Sequence, residues 1–573
     1  MSQTVAYVAN YYPVLGQLMY QMGLPEAVNE AVGAPPQGQD VDTGTFVAGM
    51  IMNILGQVPI RMYRLPEFFT DKPLPLLFPW HPEVLAEKLN DARAERVLDD
   101  LWETNPQKVL SAVAHQVILR YHPDRSQVHV DTTSKSFYGA YEHQPDPQVP
   151  QITYGHSKDR RPDLKQLLFG VGMSGDGLLL LGEVSSGNQS DMTFNGHWIK
   201  QVREQLTLTA EEFLLYVADS AVITTDNLEL LREYRMDVLS RLPERFGLAE
   251  VLMAQAQAAP AEAWEDVGVI GQAQGKRAAS YRVWQTQAEL VGASYRFLVV
   301  ASSALDKRHL KALERALGRE MAQFQKLAKA LETRAFADQE TAEAELAYTL
   351  RTWSGVYHQL TGEVEGFERQ LPRPRRGRPR AGEKPPTATY YRIRLTLHPD
   401  EVAQQRARER CGLFVLITSL LDQERYPARE LLNTYKGQHT AERALRFIKS
   451  PAWVGAFCLK KPERVAAFGY VSLAGGHCLH LVGAASAHGL GATGPTAAER
   501  LGQQSEQPTA YAIQVILSPI LVLQEMIDGQ PQFRLNRPLS ENQQRVLQLV
   551  GFGEAIYHSI SPAENSSVPT SAT

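Results

Sequence analysis

The chain has 573 residues, 44% of them hydrophobic and 21% charged, with a net charge of −5. This composition excludes a disordered, collagenous or coiled-coil protein for the bulk of the chain and allows about four domains, or one larger unit with insertions. A weakly acidic chain is no uniform polycation, so any grip on nucleic acid must come from local patches.

Residues 1–110 read as a helical N-terminal domain. Apolar residues recur at helical spacing in Val47–Leu55 and Ala94–Leu101, with proline breaks at Pro35–Pro36 and Pro73–Pro82. The block holds seven Lys/Arg against thirteen Asp/Glu. A face that grips phosphates should not be acidic, so packing or subunit contact is the expected role. The first basic residue is Arg61, so no basic leader is expected.

Residues 111–230 change character. Val128–Asp131, Leu167–Met173 and Leu178–Val184 are short apolar strands, the last two joined by a Ser174-Gly-Asp-Gly177 hairpin turn. A helix is expected near Trp198–Leu206 and a fourth strand over Phe213–Asp219. That order opens a mixed α/β sheet. Residues 231–410 read as an insertion. Ser280–Thr286 and Ser294–Ala301 alternate like strands. Leu310, Leu313, Leu317, Met321, Phe324 and Leu331 mark an amphipathic helix, with Lys311, Arg315, Arg319 and Lys326 on its other faces. A second, acidic helix is expected over about 337–369. The basic linker 371–386 carries Arg373, Arg375, Arg376, Arg378, Arg380 and Lys384, and its prolines exclude regular structure.

Residues 411–460 return to α/β. Cys411–Thr418 is a strand, and Pro427–Lys449 reads as one long helix. Residues 461–560 read as mostly helical, and 561–573 as a disordered tail. The stretch Tyr511–Met526 is too short and too interrupted, by Gln514, Ser518 and Pro519, to span a bilayer. Cys411, Cys458 and Cys478 are too few and scattered for a disulfide framework. A reducing, cytoplasmic location is the expectation, with no membrane contact.

Three acids stand out. Asp131 and Asp219 each close an apolar strand, which is often only a turn position. If the strands are neighbours, two such carboxylates repel, and a site holding several shares a proton or binds a metal. All-oxygen ligands favour Mg²⁺ or Mn²⁺. The third is Glu442. Tyr435, Glu442 and Lys449 are spaced by seven, and seven helical steps fall about 20° short of two turns, so all three share a face. Gln438, four before Glu442, joins that stripe. The plainer reading of the stripe is a solvated helix face.

This helix resembles the Tyr-(two)-Arg-(three)-Glu-(six)-Lys signature of bacterial insertion-sequence transposases of the DDE type, in the insertion-sequence-four-like group. Tyr435, Glu442 and Lys449 fall at the signature spacing, and Gln438 stands where the pattern has Arg. The settings Val-His-Val-Asp131-Thr-Thr-Ser and Tyr-Val-Ala-Asp219-Ser-Ala are similar to that group as well. So are Gly155–Gln166 and Ser186–Asp191. The resemblance implies an RNase H-like catalytic core with Asp131, Asp219 and Glu442 as catalytic residues and ligands of two divalent ions. It also implies an α+β domain inserted between Asp219 and Glu442. Cleavage and strand transfer at the ends of its own element would follow, with Tyr435, Gln438 and Lys449 on the DNA. The partners implied are double-stranded DNA and a second copy of the chain, because two ends must be cut and joined together. The alternatives are a domesticated, non-catalytic DNA-binding protein and an RNase H-like nuclease without strand transfer.

Within the linker, Arg376-Gly-Arg378-Pro matches the core of an AT-hook, whose arginines lie in a narrow minor groove. A solvated linker touching phosphates without sequence preference is the equal alternative. Gly170–Gly175 fits a dinucleotide-binding pattern by letter only. A strand follows it where a helix is required, so no nucleotide cofactor is expected. His477-Cys478-Leu-His480 lies in an apolar run without a second cluster and reads as core, not zinc.

Overall fold

A computed structural model describes residues 4–33, 40–142, 146–158, 161–270, 279–304, 307–372, 384–438, 441–442, 445, 459–488, 509–527 and 530–560. The chain divides into two compact units. The first comprises 1–243, 287–296 and 417–573; the second comprises 244–286 and 297–416.

The first unit opens on strand β1 (Val5–Val8), which the helical reading of this region missed. Helices follow where apolar spacing places them, over Thr43–Ile54 and Asp91–Thr104. Each starts on a side-chain cap: Asp42 accepts the Thr45 N–H, and Asn90 accepts the Arg93 N–H. Next come β2 (Gln127–Phe137), β3 (Lys165–Ser174) and β4 (Leu179–Ser186), an antiparallel meander. The expected turn closes β3 and β4, with Gly177 at a φ of 85° that suits glycine. β2 does not stop at Asp131, as expected. The β-branched pair Thr132–Thr133 carries it on to Phe137, so Asp131 lies inside the strand.

β5 (Leu215–Ala218) runs parallel to β2, and β6 (Asp237–Arg241) runs parallel to β5. The strand order within this unit is β4-β3-β2-β5-β6. All four residues of β5 are buried, as an interior parallel strand requires. The parallel step from β5 to β6 is bridged by the helix Thr225–Glu233.

The second unit holds β7 (Glu265–Val269), most of β8 (Ser280–Leu290) and β9 (Ala293–Ser302), then β10 (His358–Gln370), β11 (Thr387–Pro399) and most of β12 (Leu413–Thr418). The order of the first sheet is β12-β9-β8-β7. β10 and β11 form a separate ribbon, antiparallel and in unbroken register from His358↔Pro399 to Gln370↔Thr387. The amphipathic helix appears as Lys307–Glu332. The acidic helix expected over about 337–369 is a helix only over Gln339–Thr352; the rest is β10. One face of the ribbon packs on these helices through Leu331, Phe336, Ala342 and Ile393. On the other, Glu365 pairs with Arg392 and Arg394.

Back in the first unit, the helix Ala428–Gly437 packs on β5 and β6. The helix Pro462–His488 packs on β4 and on the helices Thr43–Ile54, Asp91–Thr104 and Pro106–Tyr121. It approaches the sheet at Gly469, where a Cβ would stand 2.9 Å from Val184 Cγ2. His477 and Cys478 are buried within this helix, as core packing requires, and burial holds the His477 pKa down at about 4. The C-terminal region is less helical than expected. β13 (Leu521–Ile527) and β14 (Gln530–Leu535) complete a sheet of order β1-β13-β14. Among the described residues no helix is long and apolar enough to cross a membrane.

Candidate active site

β2 and β5 are parallel neighbours whose last paired residues are Val130 and Ala218. Asp131 and Asp219 follow directly, so their carboxylates leave adjacent strands at one level of the sheet. Asp131 Oδ1 accepts the Thr132 N–H at 2.8 Å. Asp219 Oδ1 accepts the Ala221 N–H at 3.0 Å, capping a single helical turn over Ser220–Val222. The Asp219 carbonyl accepts the Ser240 hydroxyl at 2.9 Å, which ties it to the end of β6.

Burial raises the Asp131 carboxyl to about 6; the Lys158 ammonium and the Thr132 N–H oppose this, while Asp219 and Glu442 push it further up. Asp219 keeps solvent access at its outer edge, yet the protein around it also raises its carboxyl. Asp191 adds to that rise, and Lys158 opposes it.

The helix Ala428–Gly437 brings the third group of residues to this end of the sheet. Gly437 lies against the buried ring of His129 on β2, where a Cβ would stand 3.2 Å from Cε1. The helix ends at Gly437 with Gln438, in helical backbone conformation, as its C-cap; most of the remainder of the helix expected to reach Lys449 lies outside the described residues. The chain is helical again at Ala441–Glu442, where the Glu442 N–H reaches the Gln438 carbonyl at 3.3 Å. Glu442 is exposed, whereas Gln438 is only 9% exposed. Burial raises the Tyr435 phenol, with Asp219 and Glu442 adding to the rise and Arg241 opposing it. Lys449, Arg376 and Arg378 lie outside the described residues, as does most of the stretch between β10 and β11.

The structure adds residues to which the sequence assigns no role. Lys158 Nζ donates to the Thr132 carbonyl at 2.9 Å and to Thr132 Oγ1 at 2.6 Å. It also pairs with Asp191 Oδ2 at 3.1 Å. Thr132 Oγ1 donates to Asp191 Oδ1 at 2.6 Å. Asp191 is the first residue of the helix Asp191–Ile199, which Ser190 caps. Below it Tyr216, fully buried on β5, donates to Asn195 Oδ1 at 2.8 Å. The only signal for Lys158 and Asp191 in the sequence is that each sits in a segment similar to transposases.

Among the described residues, no three His, Cys, Asp or Glu side chains are gathered to hold one ion. The chemistry of the donor set still fits a hard divalent cation. It is all oxygen, two of its carboxyls are raised by burial, and the field of a third reaches the first. Like charges keep their distance until a cation screens them.

Residues 130–474 match the family model described as "Transposase DDE domain". Residues 4–115 match a "Domain of unknown function (DUF4277)". No curated protein matches the chain. Among solved structures, a cryo-EM structure of piggyBac transposase synaptic complex with hairpin DNA aligns with 53% of this chain at 10% identity and a TM-score of 0.26. The alignment covers 64% of that chain, less than two thirds of its length.

Proposed function

The chain belongs to the transposase DDE domain family, and from that premise we propose that it cuts and joins DNA at the ends of its own mobile element. The reading extends to an RNase H-like core, to the insertion-sequence-four-like group and to a homodimer that brings two double-stranded ends together. The observation that carries it is the register of β2 and β5, which sets Asp131 beside Asp219, with the field of Glu442 reaching Asp131.

Asp131, Asp219 and Glu442 are the residues that would hold Mg²⁺ or Mn²⁺. Bound there, such ions would supply activation of the attacking oxygen and stabilisation of the leaving oxygen in an in-line displacement. At the element end, water attacks the phosphorus and the 3′ oxygen leaves, taking up a proton. The freed 3′-hydroxyl then attacks a target phosphodiester and displaces a second 3′ oxygen. The number of phosphodiester bonds is conserved in that transfer. Tyr435 stands in the fields of Asp219 and Glu442 and is suited to orient a flanking phosphate or base. Gln438 is buried and neutral, so it is suited to a neutral hydrogen bond rather than to neutralising a phosphate. Lys449 and the arginines of the basic stretch supply charge for the DNA backbone.

The test is Glu442→Gln, which keeps size and removes charge. Cleavage of a duplex carrying the element ends should be lost while affinity for that duplex stays within about threefold. Retained cleavage would remove Glu442 from the catalytic set.

A further inference from the structure

Lys158 lies between two sequence-distant segments, and its ammonium has three protein oxygens around it, two as hydrogen-bond acceptors and one as an ion-pair partner. These are the Thr132 carbonyl, Thr132 Oγ1 and Asp191 Oδ2. An ammonium engaged in this way, by two hydrogen bonds and an ion pair, holds a geometry. Thr132 is the hub. Its N–H donates to Asp131 Oδ1, its carbonyl and hydroxyl receive Lys158, and its hydroxyl donates to Asp191. Thr132 is 6% exposed, so its ends of these bonds are buried, while Lys158 and Asp191 are about a quarter exposed.

The Lys158 main chain is fastened as well. Its N–H donates to Ser134 Oγ at 3.0 Å, two residues further along β2. The segment before it is pinned by Gln166 Nε2, which donates to the carbonyls of His156 and Gly187. Gly187 begins the stretch that ends in Asp191. The loop bearing Lys158 and the turn bearing Asp191 are therefore tied to each other and to β2.

We propose that Lys158 is a positioning residue of the carboxylate site, clamping the strand of Asp131 to the first turn of the Asp191 helix, with Asp191 as its anchor. The proposal rests on the reading of Asp131, Asp219 and Glu442 as metal ligands. The clamp fixes Thr132, and Thr132 fixes one oxygen of Asp131, which leaves the other directed by the strand. The single positive charge also offsets part of the repulsion among Asp131, Asp191 and Asp219; it favours the charged form of both Asp131 and Asp219. Lys158 acts through these groups and need not touch DNA.

The experiment uses the full chain as wild type, Lys158→Met, Lys158→Arg and Asp191→Asn. One readout is steady-state cleavage of a duplex carrying the element ends. The other is thermal stabilisation of the DNA-free protein by Mg²⁺ alone. Lys158→Met should lower kcat by about tenfold or more while KM for DNA changes by less than about threefold. Its half-saturating Mg²⁺ should rise by about threefold or more, and Lys158→Arg should recover most of both losses. Asp191→Asn should move both readouts in the same direction as Lys158→Met, and it decides the matter if Lys158→Met does not fold. Unchanged kcat and unchanged Mg²⁺ midpoint in the folded variants would overturn the proposal while wild-type cleavage leaves the metal-site reading standing. A wild type that neither cleaves with Mg²⁺ nor is stabilised by it would overturn that reading, and the clamp's role with it.

Discussion

Asp131 and Asp219 each come directly after one half of the last β2–β5 pair, Val130 and Ala218. Two parallel strands thus deliver two carboxylates at one level, and burial, with a smaller push from Asp219 and Glu442, raises the Asp131 carboxyl. A carboxyl raised from 3.8 to about 6 binds more protons in the folded chain than in the unfolded one over that window. Stability from this group therefore falls as pH rises from about 4 to about 6 and stays lower above it. Asp131→Asn should stabilise the chain by about 1–3 kcal/mol at pH 7.5, and the gain should fade toward pH 4. Thermal unfolding of both proteins at the two pH values checks this. The variant should also lose stabilisation by Mg²⁺, which separates a functional cost from simple repacking.

The basic stretch 371–386 follows β10 and leads into β11, the two strands of a long ribbon. Replacing Arg376 and Arg378 with Ala should weaken DNA binding and reduce the slope of log affinity against log salt by about two. Binding titrations across a salt series measure both quantities. Unchanged affinity and slope would take these arginines off the DNA.

Arg296 is fully buried, and its Nη1 donates to the Tyr426 carbonyl at 2.7 Å. That carbonyl belongs to the turn leading into the helix Ala428–Gly437, which carries Tyr435. Arg296→Ala leaves a cavity and a half-buried acceptor without this donor, at a cost of about 3–5 kcal/mol. The expected outcome is a clearly lower Tm in differential scanning calorimetry. A Tm within a degree or two of wild type would show that the turn finds another donor.

Gly469 lets the helix Pro462–His488 approach β4, since a Cβ there meets Val184 and, at 3.2 Å, Phe169. Gly469→Val should force the helix off the sheet and cost about 1–3 kcal/mol through overpacking. Denaturant unfolding at constant m-value provides the check.

Local signals explain which parts of this fold can be read from the sequence. The β3–β4 hairpin, β5 and the helix Lys307–Glu332 follow from a turn, an apolar run and a helical stripe. β10 was hidden because Glu363, Glu365 and Glu368 look like an acidic helix surface, while its true period of two is weakened by Gly362 and Gly366. β1, β13 and β14 are short strands at opposite ends of the chain, and only their pairing makes them a sheet. At the site, Asp131, Asp219 and Glu442 stand out because each sits in a motif. Lys158 and Asp191 lie in similar segments too, but their tie is not legible, because Thr132, which joins them, is 26 and 59 residues away. A contact made by folding alone leaves no spacing to read.

The central claim is tested most directly by Mg²⁺-dependent cleavage of DNA carrying the element's own ends, with wild type beside Asp131→Ala. The account predicts cuts at the element boundary in wild type and none in the variant, with both proteins binding the DNA. Boundary cuts by Asp131→Ala, or binding without any cut by wild type, would contradict it.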